Sequence, residues 1–158
     1  MTEARVGLGF DVHRPAAERP LMLGGLRFEG EPGLEGHSDG DVVCHALADA
    51  LLGAAVLGDI GGHFPETDPA VEGIAGLELL ARTVAMVRGE GLSPSSVDLT
   101  VIVERPAVAP RRDEIRQALA QALGLAVERV SVKASRPEGL GLSGDGIGCL
   151  AVAVLAST

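Results

Sequence analysis

The sequence predicts an α+β fold in which a four-stranded sheet carries helices on one face and a small hairpin lies beside it. Three observations lead to this prediction: the order of strand-like and helix-like segments, a nearly continuous apolar run near the C-terminus, and a core composition poor in aromatic residues. Hydrophobic residues make up 46% of the 158 residues, yet Trp and Tyr are absent and Phe occurs only three times. We expect one domain over residues 1–158, with Ala, Val, Leu and Ile filling thin layers between helices and sheet.

The first half of the chain predicts a strand, a hairpin and a long helix. Residues 5–12 are β-prone and broken by two glycines, which indicates a strand that a ligand or another backbone approaches closely. Residues 20–28, interrupted by a Gly-Gly pair, predict a small hairpin or an edge strand. A helix follows over residues 42–57, with Asp41 among its candidate N-caps and Gly58 as its expected C-terminal stop.

The second half predicts two further helices and three strands. It begins with a loop at residues 59–69, which is too rich in Gly and acidic residues for a regular element. The remaining elements, in order, are a helix over 74–88, a strand over 97–104, a helix over 111–123, a strand over 127–134 and a strand over 147–156. Because the last strand is almost entirely apolar, we expect it to be buried on both faces, with the outer face of the sheet against a partner subunit. The layer arrangement is predicted to be a ferredoxin-like variant.

Charge and composition exclude several classes of partner. The formal net charge is −9 and the 13 Lys and Arg residues are scattered, which argues against nucleic acid. No apolar run approaches the roughly 18 residues of a membrane span, so no membrane partner is expected. Cys44 and Cys149 form no C-x-x-C pair, and the first residues lack the apolar region of a signal peptide. We therefore expect a cytoplasmic protein with free thiols.

Residues 36–68 differ in composition from the rest of the chain. They hold three of the four histidines, namely His37, His45 and His63, and six acidic side chains, but no Lys or Arg. Acidic groups crowded together without basic neighbours repel one another, so a fold that gathers them needs solvent or a cation between them. This composition suggests a bound metal.

Asp11, His13 and His45 are the candidate metal ligands. Asp11 and His13 are two apart at the end of the first strand, which places both side chains on one face, and His45 lies on the following helix. Two imidazoles and a carboxylate suit Zn²⁺ and leave a fourth tetrahedral position open. The alternative is that Asp11 caps a turn and that the histidines are hydrogen-bonded core groups.

Other polar residues of this stretch have mainly structural interpretations. Asp39 and Asp41 are predicted to cap and turn the chain. Asp49 is four residues after His45 and is predicted to orient a ligand histidine. Glu66 is interpreted as part of a solvated loop, and Cys44 as a small buried apolar residue and not a nucleophile.

Two further groups of residues allow both a structural and a site interpretation. His37 and Ser38 precede the helix and are either an N-cap with a solvated imidazole or part of a site. The second group offers two cations, a hydroxyl and a carboxylate near a strand end, which fits a phosphate with a divalent ion but also an ordinary surface loop. It consists of Lys133, Ala134, Ser135, Arg136 and Glu138.

Four motifs occur in order and, together with the spacing between them, cover essentially the whole chain. They are GLGFDVHR at 7–14, HSDGDVVCHALADALLGAAVLGDIG at 37–61, HFPETDP at 63–69, and VKAS at 132–135 followed by EGLG at 138–141. With these motifs the sequence resembles the 2-C-methyl-D-erythritol 2,4-cyclodiphosphate synthases of the non-mevalonate isoprenoid pathway.

The resemblance implies a homotrimeric lyase with three active sites between adjacent subunits. The 2-phosphate of 4-diphosphocytidyl-2-C-methyl-D-erythritol 2-phosphate would attack the β-phosphorus of its own diphosphate and expel CMP. Such chemistry needs charge neutralisation and in-line alignment more than side-chain bases.

The resemblance also assigns site residues. Asp11, His13 and His45 would hold Zn²⁺, and Glu138 would meet a Mg²⁺ or Mn²⁺ that bridges the diphosphate. The methylerythritol phosphate would be bound by His37, Ser38, Asp59, Ile60, Gly61, Phe64, Pro65, Glu66, Thr67 and Asp68. The cytidine diphosphate would be bound by Arg105, Pro106, Ala107, Val108, Ala109, Pro110, Arg111, Lys133, Ala134, Ser135, Arg136, Pro137 and Glu138. His37 and Arg136 are the candidate catalytic residues.

The sequence departs from the family pattern in one loop. Where the family has a run of threonines after Lys-Ala, one of them stabilising the transition state, this chain has Ser135, Arg136 and Pro137. We interpret Arg136 as a source of positive charge for the phosphates. Leu142 stands where an aromatic is usual, and Asp145 where an arginine is frequent. These two changes bear on the loop's ligand contacts and on any cavity along a trimer axis.

Two other functions fit the same residues. One is a zinc-dependent phosphatase that transfers phosphoryl to water. The other is a non-catalytic trimeric nucleotide-binding module. The open three-ligand site together with the Gly-rich loops favours an enzyme over the binding module.

Overall fold

The structure is a computed structural model that describes residues 3–141 and 144–158. The strands in the described part of the chain are β1 (Ala4–His13), β2 (Pro15–Ala16), β3 (Leu21–Leu23), β4 (Leu26–Phe28), β5 (Gly33–Leu34), β6 (Leu92–Ile102), β7 (Val130–Ser135) and β8 (Ile147–Ser157). The α-helices there are α1 (Val42–Ala55), α2 (Ile60–His63), α3 (Gly76–Gly89) and α4 (Arg112–Leu123). None of these helices is long and apolar enough to cross a membrane.

The central feature is a mixed sheet of four strands in the order β1-β8-β6-β7. β8 runs antiparallel to both of its neighbours, whereas β6 and β7 are parallel. β3 and β4 form a hairpin that turns at Gly24 and Gly25, both of which have positive φ. The predicted α+β class, the four-stranded sheet and the small hairpin are confirmed.

The helices cover one face of this sheet, and α1 lies directly on β1. Gly7 and Gly9 of β1 make this contact possible, because an added Cβ would lie 1.9 Å from the Ala50 carbonyl oxygen at Gly7 and 1.8 Å from that of Ala46 at Gly9. Helix backbone therefore touches strand backbone, as the glycine-broken strand predicted. This contact sets the spacing between the end of β1 and the first turns of α1.

Helix α1 begins at a fully buried cap and ends earlier than predicted. The Asp41 carboxylate accepts hydrogen bonds from the amides of Val43 and Cys44, as its predicted capping role requires. The helix ends at Val56, which adopts a left-handed conformation with φ of 60°, so the predicted stop at Gly58 is wrong. The Leu57 amide bonds back to the Leu52 carbonyl at 2.9 Å while the Leu57 side chain packs on the core, which reverses the chain before the glycine.

The segment after α1 is more regular than predicted. The short helix α2 and a 3₁₀ turn at Pro69–Val71 interrupt the expected loop. Asp59 caps α2 by accepting from the Gly62 amide, and Asp68 caps the 3₁₀ turn by accepting from the Ala70 amide. The acidic residues that suggested an irregular loop instead satisfy the free amides of two short helical turns.

Other boundaries shift by a few residues. Strand β6 begins at Leu92 instead of residue 97 and continues through an irregularity between Pro94 and Ser96. The predicted start of β7 at residue 127 is occupied by a 3₁₀ turn, Val127–Arg129. Cys44 and Cys149 are buried free thiols, as expected, and burial raises the pKa of Cys44.

The outer face of the sheet carries exposed apolar side chains within one chain. Strand β8 alternates between buried and exposed positions, so the prediction that it is buried on both faces is wrong for the chain on its own. We define the outer apolar face as Val6, Leu8, Phe10, Val12, Leu150 and Val152, whose exposed fractions range from 37% to 68%. A contiguous apolar face of this kind is typical of a surface that a partner covers.

Candidate active site

Asp11, His13 and His45 meet between the end of β1 and the first turn of α1. The Asp11 Oδ2 atom lies 2.7 Å from His13 Nε2 and 3.1 Å from His45 Nδ1, and the two ring nitrogens are 3.3 Å apart. Ligands at roughly 2.0–2.1 Å in a tetrahedron are separated by about 3.3 Å. The donor types and spacings of the three side chains therefore fit a small tetrahedral cation, with one position left open.

Each imidazole of this triad is held through its other ring nitrogen. His13 Nδ1 donates to the Glu35 carbonyl, and His45 Nε2 lies 2.8 Å from Ser38 Oγ. Such outer contacts fix the ring orientation and the nitrogen that is offered to a metal. The prediction that Asp49 orients a ligand histidine is wrong, because its carboxylate accepts from the Ile60 amide at 2.8 Å. Asp49 therefore binds the first amide of α2.

The triad is electrostatically coupled. Burial on its own raises the pKa of Asp11, but hydrogen bonds and charge from His13 and His45 outweigh it and lower that pKa to about 2. Burial lowers the pKa of His13, yet the hydrogen bond and charge of Asp11 outweigh it and raise the pKa above 6.5. Asp11 is thus anionic at all ordinary pH values, which suits a metal ligand.

A cavity of about 200 Å³ opens beside the triad. Six residues of the predicted methylerythritol phosphate group line it, namely His37, Ser38, Ile60, Gly61, Phe64 and Glu66. The remaining residues of that group, Asp59, Pro65, Thr67 and Asp68, do not line the cavity. The backbone carbonyl of Asp68 lies 3.3 Å from His37 Nε2 and so contacts the cavity through that ring.

The apolar wall of this cavity was not predicted from the sequence. Val71, Ile74 and Leu79 form it, from the 3₁₀ turn to the first turn of α3. In the sequence these residues look like ordinary core positions. Nothing in their type or spacing indicates a site, because only tertiary packing brings the 3₁₀ turn, the segment after it and α3 beside the triad.

A second cavity of about 340 Å³ gathers most of the predicted cytidine residues. Those that line it are Arg105, Pro106, Ala107, Val108, Ala109, Ala134, Ser135 and Arg136, joined by Val103, Glu104 and Arg112, which the sequence did not indicate. The predicted residues that do not line it are Pro110, Arg111, Lys133, Pro137 and Glu138.

Three of these remaining residues have other surroundings. Arg111 donates to the Arg27 carbonyl and lies over the Phe28 ring, while Lys133 forms an ion pair with Asp98. Glu138 is exposed and has a φ of 54°, in the left-handed region. Leu142 lies outside the described residues, and Asp145 borders two surface clefts beside Gly146.

The two cavities lie at opposite edges of the sheet. Asp11 pairs with Cys149, Cys149 with Val101, and Val101 with Ala134, so Asp11 and Ala134 are the two ends of one cross-strand row. Three strand spacings separate them, or about 14 Å. Glu138 does not line the triad cavity, so within one chain the predicted ligand sets for the two metals stay apart.

Comparison with known proteins identifies relatives along the whole chain. Residues 4–157 match the model of the YgbB family. The 2-C-methyl-D-erythritol 2,4-cyclodiphosphate synthase of Trichlorobacter lovleyi is 48% identical over 151 residues, which cover 96% of each chain. The corresponding synthase of Gloeobacter violaceus is 51% identical over 155 residues, covering 97% of this chain and 95% of that protein.

Solved structures agree with these relatives. The bifunctional IspDF of Campylobacter jejuni superposes with a TM-score of 0.94 at 37% identity, over all of this chain and 43% of that one. A 2C-methyl-D-erythritol-2,4-cyclodiphosphate synthase in its CDP-bound form superposes with a TM-score of 0.88 at 36% identity, over 96% of this chain and 99% of that one. Because the family match and these relatives span nearly the full length, this chain belongs to the YgbB family, as do the cyclodiphosphate synthases that it resembles.

Proposed function

We propose that this enzyme converts 4-diphosphocytidyl-2-C-methyl-D-erythritol 2-phosphate into 2-C-methyl-D-erythritol 2,4-cyclodiphosphate and CMP. An oxygen of the 2-phosphate forms a bond to the β-phosphorus, the bond from that phosphorus to the oxygen bridging it to the α-phosphorus breaks, and CMP leaves with the electron pair. The observation that carries the proposal is the open triad of Asp11, His13 and His45 beside a cavity lined by His37 and Ser38. Relatives about half identical to this chain bear the name of that activity.

The triad is the proposed Zn²⁺ site. Zinc bound there would supply positive charge against the anionic phosphates. Asp11 stays ionised and the imidazoles are held by Glu35 and Ser38, so the three donors are oriented in advance. Glu138 is the proposed ligand of Mg²⁺ or Mn²⁺ at the diphosphate, and its exposure leaves the carboxylate free to reach a substrate.

The chain's own residues would bind and align the two phosphate groups. His37 and Ser38 offer polar atoms to the 2-phosphate, and the cavity wall at Ile60 and Gly61 positions the methylerythritol carbon chain. The cytidine would occupy the second cavity, where residues 105–109 form one wall. Confinement of both reacting groups supplies the alignment that an intramolecular displacement needs.

We propose a homotrimer in which each active site joins two subunits. The two cavities lie at opposite edges of one rigid sheet, so a substrate that touches both needs the triad edge of one chain beside the cytidine edge of the next. Head-to-tail contacts of this kind form a ring when the rotation between neighbouring subunits closes, and the resemblance to the synthase family gives three as the number of subunits. The outer apolar face would be covered in the ring, and the proposed ferredoxin-like arrangement, with helices on only one face of the sheet, would leave the outer face available for this contact. The proposed location is the cytoplasm, since free thiols fit a reducing compartment.

A product assay tests the proposed reaction against the alternatives. The cytidyl substrate is incubated with the protein, Zn²⁺ and Mg²⁺, and the products are resolved by ³¹P NMR. Cyclic diphosphate with equimolar CMP is expected. Free inorganic phosphate would indicate a zinc-dependent phosphatase, and unchanged substrate despite CDP binding would indicate a non-catalytic nucleotide-binding module; neither is favoured by the relatives.

The role proposed for Arg136 is tested by the substitution Arg136→Met, which removes the charge without introducing the hydroxyl that the family has in this stretch. Arg136 lines the second cavity, and its charge would be oriented towards the diphosphate. We expect kcat to fall about 10- to 100-fold, somewhat less than the loss on removing a buried transition-state donor, because Arg136 is exposed. Steady-state kinetics measure this, with the same change at another exposed arginine, Arg129→Met, as the control. Unchanged turnover in Arg136→Met would show that the charge of Arg136 has no catalytic role.

The stabilisation by zinc is expected to increase with pH. In the metal-free protein the pKa of His13 is raised above 6.5, so its ion pair with Asp11 stabilises the fold at low pH and is lost as the pH rises through the raised pKa. Zinc requires the unprotonated ring, so protons compete with it over the same range. The difference in melting temperature between zinc-loaded and metal-free protein should grow as the pH rises from below 6.5 through the raised pKa of His13. A difference independent of pH would contradict the assignment of His13 as a ligand.

A further inference from the structure

One short segment, residues 35–38, supplies both outer contacts of the triad. Its first residue, Glu35, offers the carbonyl that accepts from His13, and its last, Ser38, offers the hydroxyl that contacts His45. Between them His37 lines the substrate cavity. The position of this segment therefore controls the orientation of two metal ligands and of one substrate contact.

Arg19 holds this segment from outside the cavity. Its Nη1 atom donates to the Gly36 carbonyl at 2.5 Å, and its Nη2 atom donates to the Ser38 carbonyl. The Arg19 carbonyl in turn accepts from the Gly33 amide at 2.9 Å. Arg19 thus bonds to the chain just before the segment and donates hydrogen bonds to the carbonyls on either side of His37.

The remaining contacts of the segment do not replace this grip. The Glu35 amide bonds to the Arg14 carbonyl, and the His37 carbonyl accepts from the Gly73 amide. Arg19 therefore supplies the donors for two of the three successive carbonyls from Gly36 to Ser38. A planar guanidinium can hold two acceptors in one fixed geometry, which a lysine ammonium cannot do.

We propose that Arg19 is a positioning residue of the metal triad and of His37. By fixing the peptide groups of residues 36–38, Arg19 sets the Ser38 hydroxyl opposite His45 and the imidazole of His37 at the cavity. This inference rests on the proposed function only in that the triad holds a metal. Loss of the grip should weaken metal binding without removing any ligand.

The test compares Arg19→Met and Arg19→Lys with Arg116→Met. Arg116 also donates to two backbone carbonyls, those of Val130 and Val127, but it does so next to the start of β7. The control therefore loses the same class of interaction far from the triad. Zn²⁺ affinity is measured by competition with a chromophoric chelator, the melting temperature of metal-free protein is measured alongside, and circular dichroism checks folding.

Arg19→Met is expected to bind Zn²⁺ about 10-fold more weakly than the unaltered protein, the lower end of the effect of removing an outer contact of a metal ligand, because Arg19 acts on the ligands through Ser38 and Glu35. Arg19→Lys, which keeps the charge but reaches one carbonyl, should be intermediate, and Arg116→Met should retain full affinity. Equal affinity in all variants, or equal losses in Arg19→Met and Arg116→Met, would overturn the proposal. If Arg19→Met fails to fold, the comparison of Arg19→Lys with Arg116→Met decides.

The experiments distinguish a failure of the proposed reaction from a failure of the role proposed for Arg19. Unaltered protein that binds Zn²⁺ but forms no cyclic diphosphate would refute the proposed function and leave the Arg19 comparison valid. Unaltered protein that binds no Zn²⁺ would refute the metal site, and with it the role of Arg19. Loss of affinity confined to the Arg19 variants supports the positioning role whatever the reaction.

Discussion

Replacing Asp11 by asparagine is expected to lower Zn²⁺ affinity and turnover each by more than about 100-fold, since loss of an outer contact alone costs 10- to 100-fold. Asp11 is the only carboxylate of the triad, and its Oδ2 atom faces both imidazoles. Asparagine has the same shape but no charge, so the site loses the anion that offsets a divalent cation. Chelator competition measures the affinity, and CMP release measures the turnover.

The matched control for this experiment is Asp113→Asn. Asp113 forms a surface ion pair with Arg116 and its side chain is 83% exposed, so the same chemical change there removes a charge of little structural consequence. Affinity and turnover should stay at the level of the unaltered protein. Were Asp11→Asn to bind Zn²⁺ as tightly as this control, the triad would not be the zinc site.

The substitution Asp41→Ala is expected to cost about 3–5 kcal/mol of unfolding free energy, because it leaves buried donors without a partner. The fully buried carboxylate accepts from four backbone amides: those of Gly24 and Gly25 at 2.9 and 2.7 Å, and those of Val43 and Cys44 at 3.2 Å each. It thereby ties the hairpin to the start of α1. Urea unfolding of metal-free samples at one protein concentration measures the loss, since association would otherwise contribute.

Two further variants show whether hydrogen bonds cause this loss. Asp41→Asn keeps one acceptor oxygen and should lie between the unaltered protein and Asp41→Ala. Asp113→Ala removes an exposed aspartate and should stay within about 0.5 kcal/mol of the unaltered protein. A cost for Asp41→Ala no larger than that for Asp113→Ala would mean that the hairpin and helix are held by other contacts.

The sequence indicated the triad because its members follow simple periodicities. Asp11 and His13 are two apart on a strand, and the glycines of β1 predicted that a ligand or another backbone approaches it closely. That backbone is α1, which brings His45 to them. The predicted role of Asp49 in orienting a ligand histidine is wrong because helical spacing shows that Asp49 and His45 share a face, but not which donor the Asp49 carboxylate binds. The Asp49 carboxylate accepts from the amide of Ile60, which a helix too short to predict presents to it, and the ring nitrogens of His45 contact Asp11 and Ser38 instead.

Other features depend on long-range geometry that a single sequence does not display. The stop at Val56 accompanies the packing of the half-buried Leu57 against the core, although glycine has the higher intrinsic preference for the left-handed conformation. Arg19 looks like any surface arginine until the fold brings the carbonyls of Gly36 and Ser38 to it. The separation of the two cavities follows from strand order, and patterns along the chain give strand type but not order.

The backbone contact between α1 and β1 means that a substitution at the contact can widen the metal triad more easily than it can narrow it. At Gly9 the strand and helix backbones are in van der Waals contact, and an added Cβ would lie 1.8 Å from the Ala46 carbonyl oxygen, so a side chain there would push α1, and His45 with it, away from Asp11 and His13. Substitutions at this contact would then increase the distances between the three ligands. A wider site favours larger ions over small tetrahedral ones. Gly7 and Gly9 contribute no ligand to the site, yet by allowing the close contact of α1 and β1 they limit the size of the ion that it can hold.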